Sequence, residues 1–222
     1  MVSEHMFASS PRPSLPEGVL ATLRPVSLAR TRTFPLVEPW NKVITDGSLR
    51  RGTTVSVVAA PGSGGLSLAL GLLSAASART HWAAVVGIDD PGVVAIADLG
   101  LDLRRTLFVP RPGGAWAEAA ADLLEGVDLV LVRAPARPAT RSARVLGERI
   151  RERGAAAIVL RTPRTPWPAT SDLTLEVVAS RWRADARLED RTLRVRVSGR
   201  GGVRTSEREI TLPDRRGRAG EA

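Results

Sequence analysis

Strand-length apolar runs alternate with helix-length segments between residues 53 and 160, and this alternation restricts the possible folds more than any other feature of the sequence. Runs typical of buried strands occur at residues 53–59 (TTVSVVA), 81–88 (HWAAVVGI), 106–109 (TLFV), 128–132 (DLVLV) and 155–160 (AAAIVL). Helices are predicted between them, at 66–78, 91–99, 115–125 and 139–153. Strands separated by helices form mostly parallel sheets that are covered on both faces, so the sequence predicts an α/β fold.

The pattern changes after a proline-rich break at residues 163–168. Residues 173–180, 191–197 and 203–212 have strand-like composition with no helix between them, and the sequence SGRGG at 198–202 is typical of a turn. These segments predict an antiparallel extension of the same sheet.

The length and the prolines set the expected domain organisation. A chain of 222 residues suits one well-buried domain. Residues 1–35 contain five prolines and predict an extended or partly disordered N-terminal segment. Residues 36–213 are expected to form the α/β domain, beginning with a short helix over 36–44, and residues 214–222 a charged tail.

Composition excludes several classes of protein. The chain has no cysteine, which removes disulfide frameworks, thiol catalysis and cysteine-ligated zinc. Its two histidines, His5 and His81, offer little material for a metal site or a serine triad. No apolar stretch has the length of a membrane span, and no signal-like pattern opens the chain. We therefore expect a cytoplasmic protein with no membrane partner.

A glycine-rich loop follows the first core strand and precedes a helix, which is the position of a Walker A phosphate loop. A working loop needs a lysine for the phosphates and a hydroxyl for Mg²⁺. Ser67 has the expected place, but Leu66 stands where the lysine would be. The sequence thus predicts a degenerate phosphate loop comprising Gly62, Gly64, Gly65, Leu66 and Ser67, while residual anion binding by the backbone amides stays open.

The strand at 128–132 resembles a Walker B strand, but Arg133 stands at the position of the metal-binding carboxylate. A cation there opposes magnesium binding, so we predict a protein with no catalytic residue, no cofactor and no metal. Neighbouring parallel strands end at one edge of a sheet, and we therefore expect Arg133 to form an ion pair with Asp89 or Asp90.

The positive charge is concentrated near the C-terminus. Residues 131–222 hold 21 of the 32 basic residues and 11 of the 23 acidic ones. Arginine and tryptophan are enriched in interface hot spots, and the interspersed acidic residues favour a protein partner over DNA. Either a partner-binding surface or a solvated strand face would explain this pattern. The predicted partner-binding residues are Arg181, Trp182, Arg183, Arg194 and Arg196.

The order of several motifs resembles the RecA-like recombinase core. The similarity runs from Trp40 to Val132 and includes ITDGSLRRG before the loop and LGLDL at 99–103. The acidic segment Ile88-Asp89-Asp90 matches only in part, because Pro91 stands where the family has its catalytic glutamate. The resemblance implies a RecA-like α/β fold.

Within that superfamily, the degenerate loops and the arginine-rich end resemble the ImuA group, especially its actinobacterial branch. That resemblance implies a non-catalytic adaptor in DNA-damage-induced mutagenesis, cytoplasmic and nucleoid-associated when in complex. Its implied partners are an ImuB-like Y-family polymerase homologue, an error-prone replicative-type polymerase and RecA itself, with weak or indirect DNA contact. Two alternatives remain: a phosphate-loop ATPase with an atypical loop, and a nucleic-acid-binding or cell-division-regulating RecA-like protein.

Overall fold

The computed structural model describes residues 32–44, 46–77, 80–184, 188–200, 203–212 and 220–221. The chain divides into two units, residues 1–31 and residues 32–222, and all the described residues belong to the second unit. The predicted N-terminal segment up to residue 31, and most of the predicted charged tail, lie outside the described residues.

The second unit follows the predicted alternation of strands and helices closely. Its strands are β1 Thr33–Pro35, β2 Ser48–Arg50, β3 Thr53–Val58, β4 Ala83–Val86, β5 Thr106–Val109, β6 Leu129–Arg133, β7 Ala156–Arg161, β8 Leu173–Ala184, β9 Leu188–Gly199, β10 Ser206–Thr211 and β11 Gly220–Glu221. Its α-helices are α1 Trp40–Val43, α2 Gly65–Ser77, α3 Val93–Asp98, α4 Trp116–Leu123 and α5 Thr140–Arg153. Two short 3-10 turns, Leu103–Arg105 and Gly113–Ala115, precede β5 and α4.

One nine-stranded mixed sheet organises the described residues, with the order β11-β10-β9-β8-β3-β7-β6-β4-β5. All pairs from β8 to β5 are parallel. The pairs β8–β9, β9–β10 and β10–β11 are antiparallel. The predicted α/β class, with a mostly parallel sheet flanked by helices and an antiparallel extension, is confirmed.

Apolar residues are buried on both faces of the parallel strands. On one face, α1, α2 and α3 cover alternate residues such as Leu129, Leu131 and Ile158. On the other face, α4 and α5 cover the intervening residues, including Val130 and Val132. This burial explains why the parallel strands are continuous apolar runs in the sequence.

The region before β3 differs from the expected helix over 36–44. Only Trp40–Val43 is helical, while Thr33–Pro35 and Ser48–Arg50 pair as a separate antiparallel two-stranded sheet. Pro39 precedes the first helical residue, where proline's missing amide donor is tolerated. The helix also packs closely on α2, because a Cβ atom at Gly71 would overlap the ring of Trp40.

Candidate functional site

The glycine-rich loop (residues 59–64) joins the carboxyl end of β3 to α2. Two of its residues have left-handed backbones that favour glycine, with φ of +75° at Gly62 and +93° at Gly64. At Gly65, the first residue of α2, a Cβ atom would overlap the Cβ of Ala59. The glycines therefore provide a tight turn and a close approach of helix to strand, as a phosphate loop also requires.

The side chains that follow the glycines do not supply a cation. Leu66 is half-buried and packs against the main hydrophobic core. Ser67 lies in the first turn of α2 and is also half-buried. The Ser63 hydroxyl donates a hydrogen bond of 2.7 Å to the Ala60 carbonyl and so stabilises the turn itself. At the position where a phosphate loop has its lysine, this chain therefore has an apolar side chain that packs against the core.

A cation reaches the loop from β9 instead. Arg191 Nη2 donates a hydrogen bond to the carbonyl of Gly62, and Arg191 Nε donates to Ser180 Oγ at 2.6 Å. The guanidinium also stacks on Trp182, with 4.9 Å from Cζ to the ring centroid. Partial burial lowers the pKa of Arg191 below its ordinary value. Arg191 thus ties the β8–β9 hairpin to the glycine-rich loop.

A second arginine lies at the start of the loop. Arg161 is the last residue of β7, and its carbonyl accepts a hydrogen bond of 3.0 Å from the amide of Ala59. Its Nη1 donates to the Thr165 carbonyl at 3.2 Å, whereas its buried Nε has no hydrogen-bond partner in the described part of the chain. Burial lowers the pKa of Arg161, and the charge of Glu176 partly offsets that effect.

Arg133 does not form the predicted ion pair. Its side chain is exposed at the end of β6, and within the described residues no carboxylate oxygen lies within 4 Å of it. Asp89 instead has Arg111 as its partner, with 3.8 Å between Oδ2 and Nε, and Asp90 accepts a hydrogen bond from the amide of Gly92. The expected pairing with Arg133 is therefore wrong: Asp89 contacts Arg111 instead, and Asp90 bonds to the backbone just before α3.

Asp102, which carries part of the RecA-like resemblance, has a structural role. Its carboxylate accepts hydrogen bonds from the backbone amide and the Nε of Arg104, each 3.1 Å long. These bonds cap the 3-10 turn before β5 and lower the pKa of Asp102.

Two of the predicted partner-binding arginines are already paired within the sheet. Arg196 contacts Glu176 on β8 at 3.3 Å and Glu207 on β10 at 3.0 Å. Arg194 lies 3.6 Å from the other oxygen of Glu207. Each pair joins neighbouring strands on the outer face, which favours a solvated and internally neutralised surface for these two residues.

The remaining predicted partner-binding residues lie on β8. Arg183 donates to the buried carboxylate of Asp190 directly across the hairpin, so its charge is also paired. Trp182 is 46% exposed although it stacks on Arg191. Arg181 is exposed, and no carboxylate contacts it within the residues described. All five predicted residues are exposed, but Arg181 and Trp182 are the two that contact no carboxylate among the described residues.

Sequence reasoning missed Arg161 and Arg191 as neighbours of the loop. Arg191 lies 129 residues beyond Gly62, so no local motif could connect them. Over the residues that the structure covers, no cluster of three or more metal-ligating side chains occurs. None of the described helices has the length and apolarity needed to cross a membrane.

Fold and loop together define an α/β protein whose mixed, mostly parallel sheet carries a glycine-rich loop between a central strand and the helix that follows it. The family model described as the MT3502 N-terminal domain matches residues 42–169, more than half of the chain, so the chain belongs to this family. It is also 38% identical over 98 residues to a Mycobacterium tuberculosis protein named "Uncharacterized protein Rv3395c". That alignment covers 44% of this chain and 48% of the mycobacterial protein, about half its length.

Proposed function

We propose that this protein is a RecA-like, non-catalytic adaptor in DNA-damage-induced mutagenesis, and that it supports an error-prone translesion polymerase complex through an ImuB-type partner. The observation that carries the proposal is the state of the glycine-rich loop. Leu66 packs against the core and Arg191 binds the Gly62 carbonyl, so the contacts seen at the loop hold parts of the fold together. The order of parallel strands followed by an antiparallel extension supports the RecA-like part of the proposal.

The partner surface we propose includes Arg181 and Trp182, consecutive residues of β8 whose side chains point to opposite faces of the sheet. A partner that contacts both faces of this strand would meet an apolar ring on one side and, on the other, guanidinium donors that no described carboxylate contacts. Arg183, Arg194 and Arg196 contribute less, because their carboxylate partners already satisfy much of their charge.

A tagged full-length chain, recovered from DNA-damaged cells with its bound proteins, tests this proposal. We expect polymerase-type partners with the parent chain, and their loss with the double variant Arg181→Glu/Trp182→Ser. The matched control is Arg137→Glu, which makes the same change in net charge at an exposed arginine before α5. Recovery of cell-division proteins without any polymerase would contradict the adaptor role. If the Arg181→Glu/Trp182→Ser variant recovered as much polymerase as the parent chain, Arg181 and Trp182 would not be part of the partner surface.

The ATPase alternative has one observation in its favour. Arg191 brings to the loop a positive charge that the loop's own sequence lacks, and a phosphate could replace the Gly62 carbonyl as the partner of Arg191. Calorimetry with Mg-ATP separates the two functions. The adaptor proposal expects no micromolar binding and no magnesium-dependent hydrolysis above background.

The variant Leu66→Lys sharpens that test. It restores the missing lysine, but Arg133 would still repel a metal ion at the second element. We expect no ATP turnover from this variant. Turnover would show that the degenerate loop, and not Arg133, is what prevents catalysis.

A further inference from the structure

A pocket of about 660 Å³ lies at the opposite end of the parallel strands from the glycine-rich loop. It is bounded by Ile44, Asp46 and β2, by the first residues of β3 and β8, and by described residues at the end of β9 and the start of β10. Its apolar lining comes from elements far apart in the chain: Ile44, Leu49, Val55, Leu173 and Val203.

Four arginines also line this pocket: Arg50, Arg200, Arg204 and Arg208. All four are exposed. Arg50 pairs with Asp46 at 3.6 Å, and Arg200 Nη1 donates to Thr170 Oγ1 at 3.3 Å. Arg204 and Arg208 have no carboxylate oxygen within 4 Å among the residues described. Two guanidinium groups at the pocket thus have no counter-ion among the residues that the structure describes.

Two aspartates line the pocket, Asp46 and Asp172, and the carboxylate of Asp172 is hydrogen-bonded to the backbone. Asp172 Oδ2 accepts a hydrogen bond of 2.8 Å from the amide of Thr54, and the Asp172 carbonyl accepts one of 3.0 Å from the amide of Arg200. Asp172 therefore holds the pocket wall together. The four arginines and two aspartates leave a net positive charge around an apolar lining.

We infer that this arginine pocket binds an acidic segment of a partner protein, which inserts one large apolar side chain among the apolar lining residues while its carboxylates pair with Arg204 and Arg208. Charge complementarity selects the acidic flanks, and guanidinium groups pair with carboxylates through directed, two-pronged hydrogen bonds. The inference is independent of the proposed function, because it depends on neither the glycine-rich loop nor Trp182.

Single-stranded nucleic acid suits the pocket less well. Proteins that bind single strands stack the bases on aromatic side chains, whereas the lining residues include none.

The probe is a pool of fluorescein-labelled peptides of about ten residues, long enough to cross the opening, in which one Leu, Phe, Trp or Met is flanked by Asp and Glu. Fluorescence anisotropy with the full chain should show saturable binding that weakens as salt is added. The double variant Arg204→Glu/Arg208→Glu should bind at least about tenfold more weakly, a loss of about 1.4 kcal/mol. The control Arg137→Glu/Arg141→Glu makes the same change in net charge away from the pocket and should bind as the parent does.

Two further variants of the experiment test the apolar anchor. Val203→Asp should weaken binding by a similar factor, and peptides with Ser in place of the apolar residue should bind poorly to the parent chain. Thermal melting of each protein variant verifies that it is folded, and Arg204→Gln/Arg208→Gln provides a milder substitution should the reversal unfold the chain.

Several results would overturn the inference. These are no binding at peptide concentrations up to about 1 mM, equal affinity for the parent and the arginine variants, or tighter binding of a labelled oligothymidylate than of the peptides with the same dependence on Arg204 and Arg208. Displacement of the probe by a synthetic peptide of residues 1–31 would assign the pocket to this chain's own N-terminal segment and would likewise overturn it.

Discussion

In the parallel half of the sheet, β4 and β6 have consecutive residues buried on both faces, whereas β9 in the antiparallel half alternates buried and exposed residues. Leu129, Val130, Leu131 and Val132 are all fully buried. On β9, Leu193, Val195 and Val197 are fully buried while Arg194 and Arg196 are exposed. The family match ends at residue 169, before the first residue of β8, so it covers the parallel half and omits the antiparallel strands.

This difference indicates which surfaces of the chain are available for contacts with other molecules. Helices cover both faces of the parallel strands, so substitutions there act mainly on stability. Among the described residues, the antiparallel strands leave the face that carries Arg194 and Arg196 uncovered, whereas Trp182 and the arginine pocket lie on the opposite face. Interaction residues can vary on an uncovered face without disturbing the core.

The largest effects should come from successive residues on β6. We expect Leu131→Ala to lower the free energy of unfolding by about 3 kcal/mol and Val130→Ala by about 2 kcal/mol, because the two side chains are fully buried on opposite faces. Urea denaturation measures both. If either substitution cost less than about 0.5 kcal/mol, one face of the parallel half would not be packed as described.

Removing the contact between Arg191 and the glycine-rich loop should have an intermediate effect on stability. Arg191→Ala removes the hydrogen bonds to Gly62 and Ser180 and the stacking on Trp182. Hydrogen bonds of a charged donor contribute about 1–2 kcal/mol when partly solvated, so we expect a loss of that size in the free energy of unfolding. Protease cleavage within the glycine-rich loop should also become faster. Arg181→Ala is the matched control and should change neither the free energy of unfolding nor the cleavage rate. If Arg191→Ala kept the parental stability, the contacts of Arg191 with Gly62 and Ser180 would not stabilise the fold.

The outer face of β9 should respond weakly. Arg196→Gln removes two exposed ion pairs, and Arg194→Gln removes one. Each substitution should lower the free energy of unfolding by less than about 1 kcal/mol, and the difference should shrink in high salt. Neutral replacements are preferable to Glu, which would place new carboxylates beside Glu176 and Glu207. A loss above about 2 kcal/mol in the free energy of unfolding would show that these ion pairs are buried and not exposed to solvent.

The smallest effect should appear in acid. The Arg104 hydrogen bonds lower the pKa of Asp102 below the ordinary value of 3.8. The stability from this carboxylate is therefore present above pH 3.8 and is lost as the pH falls toward the lower folded pKa. Asp102→Asn should flatten that part of a stability–pH curve, and Arg104→Gln should do so in part. Parental curves in both variants would mean that this cap does not contribute to acid sensitivity.

Much of the fold could be read from local patterns. Strand β5 was predicted with its observed limits, and α2, β3, α5 and β7 agree with their predicted limits to within one residue. These elements combine a continuous apolar run or a helical period with a clear stop, such as the glycine cluster after β3 or Gly154 after α5. The segment 36–44 was predicted less well, because the pairing of Thr33–Pro35 with Ser48–Arg50 is non-local.

For the candidate site, the sequence by itself determined that Leu66 and Arg133 stand where a lysine and a carboxylate would be needed, since both positions follow from their place after a buried strand. Only the tertiary structure decided which charged and polar groups lie close together, at the loop and on the face of the sheet. Arg191 reaches Gly62 across 129 residues, and Arg194 and Arg196 find carboxylates on neighbouring strands. The arginine pocket likewise joins residues 44–55 to residues 172–208. Charge pairing depends on distances of a few ångströms between strands, and strand register, which no single segment encodes, sets those distances.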